Sequence, residues 1–415
     1  MPGDGSPVDP ERSVVGMRTL VIDEGFPYPL DTGKRIRTYH LLSRLATRGE
    51  LHYLAYGASG SESFAALEKA GMNPIPVPVA LPPQSGPLFY LRLLANLISR
   101  YPYIVSRHYS AVFQRKLEET IRRLNPDIII CEWTPYAVFV RDLTTVPAVV
   151  VAHNIEHRIW QRYHEYEESW LKRWYIGRQV PKVAAYERRA FTWVRGAVAV
   201  SHAEAGEIKT LNPGLAVEVV DNGVDLDYFG PAPDEPEQDS LVFVGAMNWR
   251  PNQDAVTYFV NEVLPLVRRH RPDASIVIVG QGPPPHVRRF DARPGVHVAG
   301  RVDDVRPYVD AASVYVVPLR IGGGTRLKIL EALAMKKAVV STSIGAEGLE
   351  VTDGTHLVIA DTAEAFAEKI ELLFNDPGLR KRLGEAGRRL VEERYGWDRL
   401  TDKLERFLKE LVRTK

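Results

Sequence analysis

The chain has 415 residues, of which 45% are hydrophobic and 25% charged, and its formal net charge is +1. This length predicts two or three domains, and the balanced charge argues against nucleic acid or a strongly acidic partner. The single cysteine, Cys131, excludes an intramolecular disulfide and favours a reducing compartment. No apolar run approaches the roughly 20 residues of a membrane span, and the N-terminus lacks a signal peptide's apolar region, so we expect a cytoplasmic protein.

The first half of the chain alternates apolar strands with helical segments. Residues 1–16 are rich in Pro, Gly, Asp and Ser and predict a disordered leader. Strands are predicted at 19–22, 51–55, 74–77, 127–132, 148–152, 197–200 and 217–220. Such alternation predicts a parallel sheet with helices on both faces, in which ligands bind beyond the carboxyl ends of the strands.

The loop from Gly25 to Gly33 separates the first strand from a helix predicted around 36–45. Asp31 or Thr32 can cap that helix, and Gly33 allows a ligand to approach the backbone. The pattern is typical of an anion-binding loop, although an ordinary Pro/Gly loop fits these residues equally well.

Polar and aromatic residues follow two of the buried strands. They are Glu132, Trp133, His153 and Asn154. We expect them at the ligand-binding edge of the sheet, where His153 could donate to a sugar hydroxyl or to a developing charge. The alternative for His153 is a polar residue satisfied by loop backbone.

The segment from 158 to 195 is rich in Trp, Tyr and Arg. It contains Trp160, Trp170, Trp174 and Trp193. We favour helices packed on the first domain; the alternative is an amphipathic surface that contacts lipid headgroups or a lipid-linked acceptor.

The second half repeats the strand–loop–helix pattern after a Pro- and acid-rich linker that ends near Ser240. Strands are predicted at 241–245, 275–280, 296–300, 314–317 and 338–341. A charged amphipathic helix is predicted at 398–412. Two similar α/β units, each with an anion loop, suggest a ligand held between two doubly wound domains.

A glycine-rich loop follows the strand at 314–317. It consists of Gly322, Gly323, Gly324 and Thr325. Thr325 is the expected N-cap of a helix that starts at Arg326. A strand, a glycine turn and a helix N-terminus present backbone N–H donors and a positive dipole end, which suits a phosphate.

Three charged residues on that helix complete the pattern. Arg326 and Lys328 add mobile positive charges to the first turn, where a helix alone favours acids, so we expect a bound anion. Glu331 lies six residues beyond Thr325, roughly 9 Å along the axis, where its carboxylate could reach a ribose hydroxyl. These residues favour a nucleotide diphosphate; the alternative is a glycine-rich turn with a solvated charged face.

Other motifs are incomplete. Prolines follow Gly280-Gln281-Gly282 where a redox dinucleotide site needs a helix, and no Lys-Ser/Thr pair follows a glycine loop, which disfavours an ATPase. Residues 153–157 match the H-x-x-E-H zinc pattern, but the two histidines straddle a strand-to-helix turn, so we expect no metal there. Glu132, Glu156 and Glu331 are the acids expected near the ligand, and they form no obvious catalytic pair.

With these residues in view, the chain resembles a family 4 (group 1) glycosyltransferase over nearly all of 17–412. The resemblance rests on FPYPLDTGKRIR, VAHNIEH, VVDNGVD, VGAMNWRPNQDA and PLRIGGGTRLKILEALA followed by STSIGAEGLE. It implies the α/β GT-B fold, with two Rossmann-like domains facing across a cleft. The boundaries expected are 17–221 for the acceptor domain, with the helix 398–412 packing back on it, and 222–397 for the nucleotide-sugar domain.

The resemblance also implies residue roles. Glu331 would bind the donor ribose, while Arg326, Lys328 and the amides of the glycine loop would hold the pyrophosphate. Gly33 would lie near that diphosphate from the other domain, and His153 near the transferred sugar. The family's usual second Glu, eight residues before Glu331, is replaced by Gly323.

One further departure concerns the first strand of the second domain. Gly245 is followed by Ala246 where the family often has an arginine, and Arg250 is the expected substitute. Both departures leave open which sugar is bound and how.

The implied reaction is transfer of a hexose-type sugar, with retention and without a cofactor or metal, from a nucleotide-diphosphate sugar to a glycan, lipid-linked or small-molecule acceptor. The implied setting is envelope or exopolysaccharide biosynthesis, with peripheral contact of the N-terminal domain on the inner membrane face. The alternatives are a GT-B nucleotide-sugar epimerase and a non-catalytic nucleotide-sugar binder.

Overall fold

The computed structural model describes residues 16–143, 145–167, 169–231, 238–321 and 326–413. The chain forms two compact units. One unit ends at Asp221 and also includes the chain from Leu400 onwards, and the other spans Asn222–Arg399. The expected leader and part of the expected linker, residues 232–237, lie outside the described ranges.

The first unit is built on a seven-stranded parallel sheet with strand order β3-β2-β1-β4-β5-β6-β7. The strands are β1 (Thr19–Asp23), β2 (Leu51–Tyr56), β3 (Pro74–Val77), β4 (Ile128–Cys131), β5 (Ala148–Ala152), β6 (Gly196–Ala199) and β7 (Ala216–Val219). The helices are α1 (Gly33–Ala46), α2 (Glu62–Lys69), α3 (Pro87–Ile98), α4 (Tyr103–His108), α5 (Ala111–Leu124), α6 (Glu156–Tyr166), α7 (Trp170–Ala190) and α8 (His202–Leu211), with a 3₁₀ segment at Thr134–Phe139.

The central strands β1, β4 and β5 are buried along their whole length. Helices cover both faces of such a parallel sheet, which explains why these strands are continuous apolar runs. The strand order reverses between β1 and β4, since β1 pairs with β2 on one side and with β4 on the other. Ligands bind at such a switch point, beyond the carboxyl ends of the strands.

The second unit has a six-stranded parallel sheet with order β10-β9-β8-β11-β12-β13. Its strands are β8 (Ser240–Val244), β9 (Ser275–Val279), β10 (Val296–Gly300), β11 (Val314–Val317), β12 (Ala338–Ser341) and β13 (Val358–Ile359). Its helices are α9 (Arg250–Tyr258), α10 (Leu264–His270), α11 (Pro285–Arg288), α12 (Arg306–Ala311), α13 (Leu327–Ala334), α14 (Ser343–Ala346), α15 (Ala363–Asn375) and α16 (Pro377–Arg394). The switch point lies between β8 and β11.

The last helix, α17 (Trp397–Arg413), packs on the first unit. Its apolar residues recur every three or four positions and are buried, as expected for an amphipathic helix: Leu400, Leu404, Phe407, Leu408 and Leu411. Gly196 allows this contact, because a Cβ atom there would lie 2.7 Å from Leu411 Cδ1 and 2.9 Å from Phe407 Cζ. Arg48 adds ion pairs with Asp402 and Glu405.

The Trp-rich segment differs from the packing interpretation. The second half of α7 is buried, including Val183 and Tyr186, but in its first half Trp170 and Trp174 are 79% and 45% exposed. The expectation of simple packing is therefore wrong for the start of α7. Of the helices in the described ranges, none has an apolar stretch long enough to cross a bilayer.

Candidate active site

The candidate anion site lies at the switch point of the second unit. The glycine loop leaves β11 and leads into α13, while Gly245 directly follows β8. Helix α13 begins at Leu327 with Arg326 in the capping position, so Thr325 is not the N-cap expected from the sequence. Gly322, Gly323, Gly324 and Thr325 lie outside the described residues, and their expected phosphate contacts stay predictions.

Lys328 is directed at the end of β8. Its Nζ donates to Asn252 Oδ1 at 2.8 Å and lies 4.4 Å from the centre of the Phe243 ring. Asn252 is buried and is itself fixed, because its amide donates to the Ala246 carbonyl at 2.8 Å. The ammonium is thus held by an amide and an aromatic face, without a carboxylate hydrogen-bonded to it among the described residues.

Glycine at 245 is required for this arrangement. A Cβ atom there would lie 2.7 Å from Lys328 Nζ and 2.7 Å from Asn252 Nδ2. The neighbouring Gly280 has φ +157°, and a Cβ atom there would lie 1.8 Å from the Gly245 carbonyl oxygen. The structure therefore brings Gly245 and Lys328 together, while their expected role in binding the donor stays a prediction.

Burial perturbs both ionisable groups of α13. Burial lowers the pKa of Lys328 to about 7, although the nearby Glu331 charge opposes the shift. Burial also raises the pKa of Glu331 to about 7, opposed by Lys328. As pH rises through 7 the pair passes from net positive to net negative, a property suited to controlling an anion.

Arg326 differs from its expected role as a mobile cation. Its side chain is 3% exposed, Nη2 donates to the Ile344 carbonyl at 2.8 Å, and Glu347 is 3.6 Å away. The fold brings that carbonyl to Arg326 because α14 follows β12, the strand that pairs with β11. Arg326 therefore anchors the start of α13 rather than pointing into solvent.

A second arginine is held at the end of the segment that follows β11. Arg320 pairs with Asp254 at 2.7 Å and lies 4.4 Å from the Tyr258 ring centre. The Thr342 hydroxyl donates to the Leu319 carbonyl from the neighbouring strand. Contacts from distant segments therefore hold the described residues on both sides of 322–325, at Leu319–Arg320 and at Arg326.

Arg250 does not join this group. It is exposed at the first position of α9, and its side chain has no ion pair or hydrogen bond with a described residue. Its proposed substitution for the family's usual arginine stays a prediction.

In the first unit, Glu132 and His153 meet at the carboxyl ends of β4 and β5. His153 Nε2 lies 3.0 Å from Glu132 Oε2, which also accepts from the Thr38 hydroxyl at 2.9 Å. Burial would raise the pKa of Glu132, but the hydrogen bonds from His153 and Thr38 outweigh it and lower the pKa. Burial lowers the pKa of His153, so a neutral imidazole donates to a carboxylate.

A second buried pair at this edge was missed by the sequence analysis. Asp23, the last residue of β1, accepts from Lys34 Nζ and from the Tyr53 hydroxyl, each at 2.7 Å. Burial raises the pKa of Asp23 to about 6. Burial alone would lower the pKa of Lys34, but Asp23 and Glu24 outweigh it and raise the pKa to about 12.

The expectation that only Glu132, Glu156 and Glu331 are the relevant acids is therefore incomplete. The signal was available, because Asp23 directly follows the apolar run of β1 and Lys34 is a cation in the first turn of α1. Gly33 starts that helix and Thr32 caps it. Asn154 is partly exposed next to His153, with no side-chain hydrogen bond to a described residue.

Trp133 belongs to the same edge. Lys34 Nζ lies 5.2 Å from the centre of the Trp133 ring. The Trp133 Nε1 donates to Glu156 Oε1 at 2.7 Å. Burial raises the pKa of Glu156 to about 7. Trp133 therefore contacts both Lys34 and Glu156, the first residue of α6.

The two histidines of the H-x-x-E-H pattern have different carboxylate partners. His153 contacts Glu132, whereas His157, inside α6, contacts Glu187 at 2.7 Å. Glu187 also accepts from the backbone N–H groups of Glu156 and His157, which caps a helix that has no capping side chain of its own. Within the part of the chain that the structure describes, no three His, Cys, Asp or Glu residues are grouped to hold a metal ion.

Comparison with known families matches both units. The family model described as "Glycosyltransferase Family 4" matches residues 33–228, and that described as "Glycosyl transferases group 1" matches residues 238–376. The first match includes the edge with Glu132 and His153, and the second includes Lys328 and Glu331.

Curated relatives carry related names. The chain is 32% identical over 196 residues to "Phosphatidyl-myo-inositol mannosyltransferase" of Mycobacterium tuberculosis, covering 44% of this chain and 50% of that protein. It is 32% identical over 123 residues to "Capsular polysaccharide biosynthesis glycosyltransferase CapM" of Staphylococcus aureus, covering 28% of this chain and 32% of that protein. The chain thus spans between a third and a half of the length of these curated relatives.

A solved structure shares the whole architecture. Anabaena HepE in complex with UDP and glucose superposes with a TM-score of 0.65 at 13% identity, covering 95% of this chain and 99% of that one. This similarity and the two parallel sheets show the GT-B fold. The two family matches show that the chain belongs to the family 4 (group 1) glycosyltransferases, a family of enzymes.

Proposed function

We propose that this protein transfers a hexose-type sugar, with retention of anomeric configuration, from a nucleotide-diphosphate sugar bound by the second unit. The observation that carries the proposal is the Lys328–Glu331 pair on α13, next to Gly245 at the switch point. Lys328 would contact the diphosphate and Glu331 the ribose hydroxyls, while the amides at Gly322, Gly323, Gly324 and Thr325 would complete the phosphate site.

The geometry supports stabilisation of a departing anion. Lys328 is held by a neutral amide and an aromatic ring, so its charge is available to a diphosphate, and burial strengthens that interaction. A donor phosphate oxygen would accept the proton of the attacking hydroxyl on the same face of the sugar. No metal ion or cofactor is needed in this scheme, because the ammonium and helix N-terminus supply the positive potential.

The acidic groups of the first unit support a mechanism without an enzyme nucleophile. Asp23 is paired with Lys34, and Glu132 is bonded to His153 and Thr38. Each carboxylate therefore orients a neighbouring group. Because His153 donates its N–H to Glu132, its Nδ1 would accept a hydrogen bond from a hydroxyl of the transferred sugar. The first unit would bind a glycan, lipid-linked or small-molecule acceptor.

The names of the relatives favour a role in envelope or exopolysaccharide synthesis. One relative acts on phosphatidylinositol by its name, and another is named for capsular polysaccharide. Both names are consistent with an acceptor that is assembled at a membrane.

Peripheral membrane contact is part of the proposal. Of the 17 large hydrophobic side chains that are exposed in the described ranges, 12 lie between Leu88 and Trp174. Ten of them lie in the stretches 87–117 and 170–186, which contain nine Lys and Arg and no Asp or Glu, although the whole chain has a net charge of only +1. Exposed apolar side chains on positively charged segments would favour the anionic cytoplasmic face of a membrane.

The donor is identified by thermal stabilisation with UDP-, GDP- and ADP-sugars, because a ligand that binds only the native state raises its melting temperature. Turnover of the stabilising donor is then followed by NMR with candidate acceptors, which reads the anomeric configuration directly. An α-linked product from an α-linked donor supports retention, and a β-linked product refutes it. Conversion of the donor without any acceptor would instead identify an epimerase.

Membrane contact is tested by co-sedimentation with vesicles of phosphatidylcholine alone or mixed with phosphatidylglycerol. We expect binding to the anionic vesicles only, weakened by salt and by Leu91→Ser together with Ile98→Ser, two exposed positions of α3. The matched control is Leu372→Ser, an exposed leucine of α15 in the other unit. Equal sedimentation of all variants would refute the proposed surface.

A further inference from the structure

The first unit contains a large apolar cavity outside the polar edge described above. Its volume is about 750 Å³, and the helices α3, α4, α6 and α7 supply most of its wall. Apolar and aromatic side chains line it, among them Leu93, Leu97, Trp160 and Ile176. The volume is typical of a small-molecule site, for which roughly 300–1,000 Å³ is usual.

The wall of the cavity connects two different environments. Glu24 and Trp133 line it, and both contact Lys34 at the carboxyl end of the sheet. Leu94 and Trp174 also line it, and they are 62% and 45% exposed. The cavity therefore reaches from the polar edge to the exposed apolar surface of α3 and α7.

We infer that this cavity binds the hydrocarbon chain of an amphipathic acceptor, so that the acceptor of this enzyme is lipid-linked. The chain would lie between α3 and α7, and its hydroxyl-bearing head would lie at Glu24 and Trp133, beside the Lys34 and His153 edge. This inference rests on the proposed function, since it names the class of acceptor for that reaction.

Three observations select a single lipid chain as the occupant. The cavity is lined mainly by carbon, which disfavours a free oligosaccharide. Two of its polar residues, Glu24 and His108, are at the edge where the proposed reaction needs a hydroxyl: Glu24 pairs with Lys34, and His108 packs on Trp133. Its outer wall is continuous with the basic and apolar surface proposed to contact a membrane, which would supply the lipid without exposing its chain to water.

Binding in the cavity can be followed by tryptophan fluorescence, because Trp133, Trp160 and Trp174 line the cavity. Bromine quenches tryptophan fluorescence on contact, so ω-bromoalkyl alcohols should quench saturably when they bind. With chains of roughly six to twelve carbons, affinity should increase roughly fourfold per methylene, because each buried CH₂ contributes a constant free energy.

Variants locate the binding. Leu97→Phe with Ile176→Phe adds volume inside the cavity, and we expect it to reduce the affinity for the longest chain by at least tenfold. Leu93→Gln adds no volume and should weaken binding because it places a polar amide in the cavity wall. Since the two variants change the cavity in different ways, weaker binding in both is not explained by a folding defect in one of them. The control is Ala95→Phe, on the same helix but exposed and outside the lining, which should bind as the native protein does.

The melting temperature of each variant is also measured with and without the nucleotide sugar. This measurement reports donor binding by the second unit, independently of chain binding by the first. Saturable quenching that is lost in the filled variant and kept in Ala95→Phe supports the inference. No saturable quenching, or equal quenching in all variants, overturns it even if nucleotide sugars bind and turn over. Chain binding without nucleotide-sugar binding would instead overturn the proposed function and leave only a lipid site.

Discussion

Lys328 makes the affinity for a nucleotide sugar depend on pH. Its pKa is about 7 in the unliganded protein, so about one molecule in ten carries the charge at pH 8 and about one in a hundred at pH 9. A phosphate about 4 Å away at an effective dielectric constant of about 20 contributes about 4 kcal/mol, which raises the ammonium pKa by about three units in the complex. The affinity should therefore decrease about tenfold per pH unit between about 7 and 10.

Ionisation of Glu331 also lowers the affinity for the diphosphate as the pH rises. Its pKa is also about 7, so it gains a negative charge as Lys328 loses its positive one. We expect nucleotide-sugar binding to be tightest below pH 7 and about a hundredfold weaker at pH 9, with uptake of about one proton per ligand at pH 8.

Isothermal titration calorimetry with an intact nucleotide sugar measures the affinity at each pH. Repeating the titration in buffers of different ionisation enthalpy gives the number of protons taken up on binding. The Lys328→Met variant should bind the nucleotide sugar weakly at every pH, and its affinity should lose the pH dependence that comes from the Lys328 ammonium. The matched control Lys336→Met changes an exposed lysine just after α13 and should retain the native pH profile. A native profile that is flat, or that Lys328→Met reproduces, would refute the reasoning.

The remaining predictions concern single contacts. Gly245→Ala should displace the Lys328 ammonium and raise the donor KM at least tenfold in steady-state kinetics with little change in melting temperature; an unchanged KM would contradict the contact. Lys34→Met should destabilise the protein by about 3 kcal/mol in urea unfolding, because it leaves Asp23 buried without its cation, whereas Lys116→Met in an exposed pair should cost less than about 1 kcal/mol. Gly196→Ala should destabilise by about 1–3 kcal/mol through its clash with α17, while Gly206→Ala, with open space around it, should stabilise α8 by up to about 1 kcal/mol; equal effects would count against the packing described.

The sequence was sufficient to predict both sheets except the two-residue strand β13, and it indicated that Lys328 and Glu331 lie on one helix face. The continuous apolar runs at 128–131, 148–152 and 314–317 are strands buried on both faces, and this burial is what makes them recognisable. Lys328 and Glu331 were predictable as neighbours because positions three apart share a helix face. Because Lys328 and Glu331 lie on the helix that follows the buried strand 314–317, they were expected at the ligand-binding edge of the sheet.

Contacts between distant segments were not predictable in the same way. Arg326 is buried because the β12–α14 connection places the Ile344 carbonyl beside it, and no local pattern encodes that approach. The Asp23–Lys34 pair joins a strand end to a helix start across a loop. The exposure of Trp170 likewise depends on where α7 leaves the body of the unit, since composition alone favoured its burial.

A crystal structure with a bound, intact nucleotide sugar would locate the donor. We expect diphosphate oxygens within hydrogen-bonding distance of Lys328 Nζ and of the amides at 322–325, with Glu331 on the ribose hydroxyls. A nucleotide bound elsewhere, with Lys328 still donating to Asn252, would rule out Lys328 as the diphosphate ligand.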